Sequence, residues 1–182
     1  MQFNIHRQLA GLHAPFSPSQ SSWLNYDDDK IIEVYKNKKA AEMGTRLHAW
    51  AAETINLAIK MPKSKKTIYM YVNDAIGFGM DTEVVLYYSD YFFGTADTIC
   101  FRNGTLRIHD LKTGKSPVKM EQLMIYAALF CLEYKVKPGE INMELRIYQN
   151  DEIIYHKPTV EEIAPIMDRI VYVTKLFEKL EY

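Results

Sequence analysis

A chain of 182 residues, 48% of them hydrophobic, is long enough for one sizeable core and short for two, so a single domain spanning residues 1–182 is expected. Its 22 lysines and arginines nearly balance 23 aspartates and glutamates, and the formal net charge of -1 excludes bulk electrostatics as the means of attracting a polyanion. Cys100 and Cys131, both inside apolar runs, are too few for a disulfide framework, a four-cysteine zinc site or an iron–sulfur cluster.

The opening residues, MQFNIHRQLAGLHAPF, show neither a basic region followed by an apolar core nor a cleavage site, and no window approaches about 18 uninterrupted apolar residues. A soluble protein of a reducing, cytoplasmic compartment is expected. In SPSQSSWLNY, Ser17 as N-cap, Pro18 at the first helical position and Gln20 as the return partner predict a short helix to about Tyr26, ended by DDD. The next helix is predicted from about Lys38 to Lys60. Met43, Leu47, Ala51 and Ile55 form one stripe and Gly44, His48, Ala52 and Ile59 its neighbour, an apolar arc wide enough to predict substantial burial.

Pro62 and a lysine cluster break that helix, and TIYMYVNDAIGFGM is compatible with a further one that stops at Gly77 and Gly79. TEVVLYY, GTADTICF and TLRIHDLK then read as three strands. Ser116 and Pro117 predict the start of a helix running to about Tyr134. INMELRIY alternates Ile141, Met143, Leu145 and Ile147 with polar residues, and the helix before it has the length of a crossover, so this strand suits parallel pairing with TLRIHDLK. EIIYHK reads as a return strand. Thr159 with Glu162 forms a capping box for a last helix striped by Ile163, Ile166, Ile170, Val173 and Phe177.

Asn103-Gly104 is a strong two-residue hairpin signal, because a type I′ turn needs positive φ at both central positions. With Arg102 opposite Thr105, Phe101 faces Leu106, Ile99 faces Ile108 and Asp97 faces Asp110, all on one side of the hairpin by strict alternation. Two carboxylates directly opposed on an apolar face repel each other and lose solvation. A shared proton or a cation relieves this. Lys112, on the same face, supplies one positive charge, and a divalent ion would complete the balance; carboxylate oxygens suit Mg²⁺ or Mn²⁺. The alternatives are a surface hairpin with its acids in water, or a bulge that separates the pair.

GTAD followed by IHDLKTGK resembles the core of the PD-(D/E)XK nuclease superfamily, in which an acid on one strand and an acid-x-lysine on the next hold the metal. Asp97 matches the first acid, Asp110 the second and Lys112 the lysine. The Lys-Thr-Gly that includes Thr113 is similar to the RecB-like branch, which also contains lambda-type exonucleases. GTRLH resembles that branch's Gly-x-x-x-His, implying His48 as a metal ligand with Gly44 one turn earlier, and QLMIY resembles its Gln-x-x-x-Tyr at Gln122 and Tyr126. Glu83 corresponds to an acid often found at the head of the first strand, and LHAPFSPSQSSWLNY resembles the N-terminal segment of phage-encoded members.

The resemblance implies an α/β, restriction-endonuclease-like core with a mixed central sheet flanked by helices. It implies a catalytic set of Asp97, Asp110 and Lys112, and Mg²⁺ or Mn²⁺ held by His48, Asp97, Asp110 and the Leu111 carbonyl. Gln122, Tyr126, Gly44 and Thr113 would contact substrate. The implied activity is DNA phosphodiester hydrolysis, as an exonuclease on linear duplexes in phage recombination or repair, beside a single-strand annealing protein in a bacterial host cytoplasm. The rivals are a structure-specific or single-strand endonuclease on the same site, and a DNA- or protein-binding module that kept the fold alone. Lys112 would orient or deprotonate water, or stabilise the developing charge. Some relatives form rings, which leaves a homo-oligomer open. Lys60, Lys63, Lys65 and Lys66 could follow a DNA backbone or form a solvated loop, and Arg107 and His109 are expected on the face away from the site.

Overall fold

The structure, a computed structural model, describes residues 14–180. The reading of the opening residues as leaderless therefore falls, up to residue 13, outside the described residues. Among those described, no helix is long and apolar enough to cross a membrane. The chain divides between Thr45 and Arg46 into two compact units.

In the N-terminal unit a 3-10 helix, Ser21–Asn25, replaces the helix expected from Ser17. The Ser17 hydroxyl is 2.8 Å from that of Ser19 and accepts the Ser19 N–H at 3.4 Å, so it closes a local turn instead of capping a helix. The three aspartates open a helix where an end was expected. Asp27 accepts the Lys30 N–H at 2.8 Å, and Asp28 and Asp29 occupy the first turn of α1, Asp28–Asn56, where negative charge complements the helix dipole. α1 therefore starts ten residues before its predicted start and ends earlier. The wide burial expected of it is also corrected: Ala51, Thr54 and Ile55 are buried, but Met43, Trp50, Leu57 and Ile59 are exposed.

From Arg46 onward the molecule is α/β, with a five-stranded mixed sheet in the order β1-β2-β3-β4-β5. The strands are β1 (Asp81–Ser89), β2 (Phe92–Arg102), β3 (Thr105–Leu111), β4 (Asn142–Gln149) and β5 (Glu152–His156). Among the described strands only β3 and β4 pair in parallel, and α3, Glu121–Glu133, lies between them in the chain as the crossover. This arrangement is compatible with a restriction-endonuclease-like core. The hairpin turn has φ of 50° at Asn103 and 71° at Gly104, as the type I′ turn requires.

Helices cover both faces. Leu123, Ala127 and Phe130 of α3 join Ile163 and Ile170 of α4, Val160–Glu178, over Leu106, Ile108, Leu145 and Ile147. On the other face Ala51 and Ile55 of α1 meet Tyr71, Val72 and Ala75 of α2, Thr67–Phe78, above Cys100, Leu111 and Tyr148. α2 stops where expected, with Gly79 left-handed at φ 61°. The capping box of α4 is present at Thr159 and Glu162. α3, in contrast, begins at Glu121 rather than after Ser116. The carbonyls of Gly114 and Ser116 accept hydrogen bonds from Gln149 Nε2 at 2.6 and 2.9 Å, which pins this stretch across the end of β4.

Candidate active site

The β2–β3 ladder follows the predicted register from Arg102–Thr105 to Thr98–His109 and stops there. Asp97 and Asp110 are the next pair. Beyond the last rung the strands part, and the Asp97 carboxylate fills the gap by accepting the Leu111 N–H at 2.9 Å. Alternation also slips at this point. Ala96 and Ile99, three residues apart, both pack in the core under α3, whereas regular alternation would separate them. The expectation that Asp97 shares a face with Ile99 and Phe101 is thereby corrected. Asp97 instead meets α1, with Oδ2 3.4 Å from His48 Nδ1.

β1 carries the matching irregularity. Its pairing with β2 passes from Thr82–Thr98 to Val84–Ala96, and the intervening Glu83, opposite Asp97, has a φ of 52°. A left-handed conformation at a non-glycine residue is strained and turns the side chain out of regular alternation. Glu83 is exposed, and its charge helps to raise the pKa of His48. Contact with Asp97 is the main cause of that rise, opposed by burial.

Asp110 is buried at 4% exposure, with Lys112 as its counter-charge. Lys112 Nζ donates to Asp110 Oδ1 at 3.2 Å and to Gln122 Oε1 of α3 at 2.9 Å. Burial, and then the nearby Asp97 charge, push the Asp110 carboxyl above the usual range, while Lys112 pulls it down. Asp110 Oδ2 lies 3.0 Å from Lys112 Nζ, so the ammonium spans both oxygens of the carboxylate, and this oxygen is closed off from solvent.

Tyr126, one turn after Gln122, has its hydroxyl 3.5 Å from Gln122 Nε2 and donates to the Thr95 carbonyl at 2.8 Å. Gly94 makes room for this ring: a Cβ there would lie 2.9 Å from Tyr126 Cε1. A continuous polar chain therefore runs from Asp110 through Lys112, Gln122 and Tyr126 to the backbone of β2. Thr113 is exposed and lines a cleft with Lys66, Lys112 and Lys115. Of the lysines between α1 and α2, Lys66 is the one that reaches this cleft. Gly44 is a buried position in the turn of α1 before His48.

His109 and Arg107 bond to other partners than the site residues, but the expectation that they lie on the face away from both aspartates is corrected for Asp97, which reaches the α1–α2 side of the sheet where His109 also packs. His109 is enclosed between Phe78 and Tyr148, with ring centroids 5.7 and 5.3 Å away. Burial, then the charges of Arg146 and Arg107, lower its pKa to about 3, so the imidazole is neutral. Tyr148 Oη, 3.3 Å from His109 Nδ1, donates to Asp74 at 2.6 Å.

Among the described residues no group of three or more His, Cys, Asp or Glu side chains converges closely enough to hold a metal ion as it stands. His48 pairs with Asp97, and Asp110 with Lys112. The donor chemistry nevertheless fits a hard divalent ion: two carboxylates and an imidazole, with a single ammonium set against the buried carboxylate. Gly94, Thr95 and Gln149 shape the site without having been singled out from the sequence. Gly94 and Thr95 stood inside GTAD, but no spacing marks Gln149, whose partners lie more than thirty residues away in the chain.

Residues 80–150 match the model of a family described as "Protein of unknown function (DUF2800)". The match runs from the start of β1 to the end of β4, taking in Asp97, Asp110, Lys112, Gln122 and Tyr126 but not His48. No curated protein and no solved structure matches the chain.

Proposed function

We propose that this protein is a metal-dependent deoxyribonuclease that acts as an exonuclease on linear double-stranded DNA in phage recombination or repair. The observation that carries this reading is the meeting at one strand end of Asp97 paired with His48 and Asp110 paired with Lys112, the Asp110 carboxylate being buried. A purely structural ion pair does not need a second carboxylate beside it, and holding the half-buried Asp97 next to the buried Asp110 is costly.

His48, Asp97 and Asp110, with the main chain at Leu111, are the groups that would hold Mg²⁺ or Mn²⁺. Bound there, such an ion would polarise a phosphoryl oxygen and lower the pKa of a bound water. The chain's own part is positional. Gln122 and Asp110 hold the Lys112 ammonium between them, where it can orient the attacking water or stabilise negative charge on the phosphorus centre. Tyr126 fixes Gln122 in turn, and Thr113 borders the cleft through which a phosphate chain would approach. DNA is the partner in this reading, with a single-strand annealing protein and a bacterial cytoplasm as its setting.

The test is a time course on linear duplex DNA labelled at either end, beside closed circular DNA, with Mg²⁺, Mn²⁺ or EDTA, for the wild type and Lys112→Ala. Metal-dependent loss of the linear substrate alone, abolished by the substitution, is the expected result. Cutting of the circle would make the enzyme an endonuclease, and a folded protein that binds DNA without cleaving it would be a binding module.

A further inference from the structure

The sheet has two edges, and the chain treats them differently. At β1 the Tyr87 N–H, on the outer side of the sheet, donates to Glu133 Oε2 of α3 at 2.9 Å, so a side chain closes part of that edge. β5 is the other edge and pairs with β4 without a bulge over all five of its residues. Among the described residues no segment other than β4 bonds to the β5 backbone. Glu152, Ile153, Ile154 and Tyr155 are all exposed, the last three at 38, 43 and 46%. An open edge of regular, uncharged β-formers is a template for another strand, and folded chains ordinarily blunt such an edge with proline, charge or a bulge. Ile153-Ile154-Tyr155 carries none of these.

We propose that β5 pairs antiparallel with β5 of a second copy of this chain, about a two-fold axis at Ile154, joining the two sheets into one. The occupant is a second copy because the strand can pair with itself without repulsion. With Ile154 opposite its own equivalent, Glu152 falls opposite His156 of the second copy and Ile153 opposite Tyr155 of the second copy. At each end an acid thus meets an imidazole rather than another acid, and apolar side chains meet between them, an arrangement favourable across an antiparallel pair. Parallel pairing would set Glu152 beside its own equivalent and Lys157 beside its own, and would repel. A two-fold interface uses one patch twice, so a self-complementary strand is sufficient to build it. His156 Nε2 lies 3.0 Å from Glu162 Oε1, which anchors this end of the strand to α4. Five residues on each side make a small interface, so the association is concentration-dependent and reversible. This inference does not depend on the nuclease reading.

The test is sedimentation of the full chain across a wide concentration range, combined with cysteine cross-linking under mild oxidation. Residues directly opposed in an antiparallel pair have Cβ atoms roughly 4.5–5.5 Å apart, near disulfide reach, whereas positions four residues apart along the strand are about 13 Å away. Ile154→Cys is expected to give a reducible cross-linked dimer at least tenfold faster than Glu152→Cys, since Cys100 and Cys131 are buried. Ile154→Lys, which sets two ammonium groups face to face, is expected to leave a folded monomer by sedimentation and circular dichroism. A wild type that stays monomeric at every concentration, equal cross-linking of the two cysteine variants, or a dimer that survives Ile154→Lys would each overturn the proposal.

Discussion

The Asp97 carboxylate accepts the main-chain N–H of Leu111 at 2.9 Å, so the strand that carries the second acid also fixes the first. Asp97→Asn keeps an acceptor for that N–H and removes the charge. Under the proposed reading it lowers cleavage by at least about 100-fold while leaving the melting temperature nearly unchanged. Asp97→Ala removes the acceptor too, and the stranded Leu111 N–H is expected to cost about 1–3 kcal/mol more stability than Asp97→Asn. Activity and urea unfolding of the two variants, side by side, separate the chemical role from the structural one.

Lys112 is held by two partners of different kinds, Asp110 and Gln122. Lys112→Ala is expected to lower the cleavage rate by about 10²–10⁴-fold, the range of a positioned proton-transfer or charge-stabilising group. Gln122→Ala leaves the ammonium on Asp110 alone and should cost about tenfold. If Gln122→Ala raises KM and leaves kcat intact, Gln122 contacts substrate rather than holding Lys112.

Gly94 faces the Tyr126 ring with no space for a methyl group. Gly94→Ala should destabilise by about 1–3 kcal/mol as an overpacked site, and the cost should fall sharply in a Tyr126→Ala background, where the clashing ring is gone. A double-mutant cycle in urea measures that coupling. Equal costs in both backgrounds would mean that backbone freedom, not the ring, requires glycine.

The N-terminus of α2 is capped from across the sheet: Asp151, in the β4–β5 turn, accepts the Thr67 N–H at 2.8 Å and the Thr67 hydroxyl at 3.0 Å. These bonds hold the Asp151 carboxyl below its ordinary value. Since its pKa is depressed in the folded state, the stabilisation is full above the unfolded value of 3.8 and is lost as the pH falls through the folded one. Asp151→Ala should lower the melting temperature by roughly 3 °C at pH 7, and the difference should shrink progressively as the pH falls below 3.8. A difference that persists in acid would assign the effect to the turn, where Asp151 has a φ of 61°, rather than to the cap.

The same residues separate what was legible from what was not. The Asn103-Gly104 turn, the register of β2 on β3, the end of α2 at Gly79 and the Thr159–Glu162 box were all readable, because each depends on residues within a few positions of one another. The pairing of Asp110 with Lys112 on a strand and of Gln122 with Tyr126 on a helix followed from short spacings, while the meeting of the two pairs was implied only by the family resemblance. The three aspartates at the start of α1 read equally well as the end of the preceding helix. As a cap and first turn they are equally at home at a helix start, and the run alone does not say on which side the helix lies.

By itself the sequence determined the strands, the turn that pairs them and the spacing of the polar side chains, since backbone period and turn sterics act over a few residues. Tertiary structure alone decided which way Asp97 points. That depends on where the β2–β3 ladder stops, on strain at Glu83 in the neighbouring strand and on His48 arriving from α1. It likewise decided that Gln149 holds the 114–116 stretch out of α3 and that Asp151 caps α2, because each bond joins groups that only the closed sheet brings within reach.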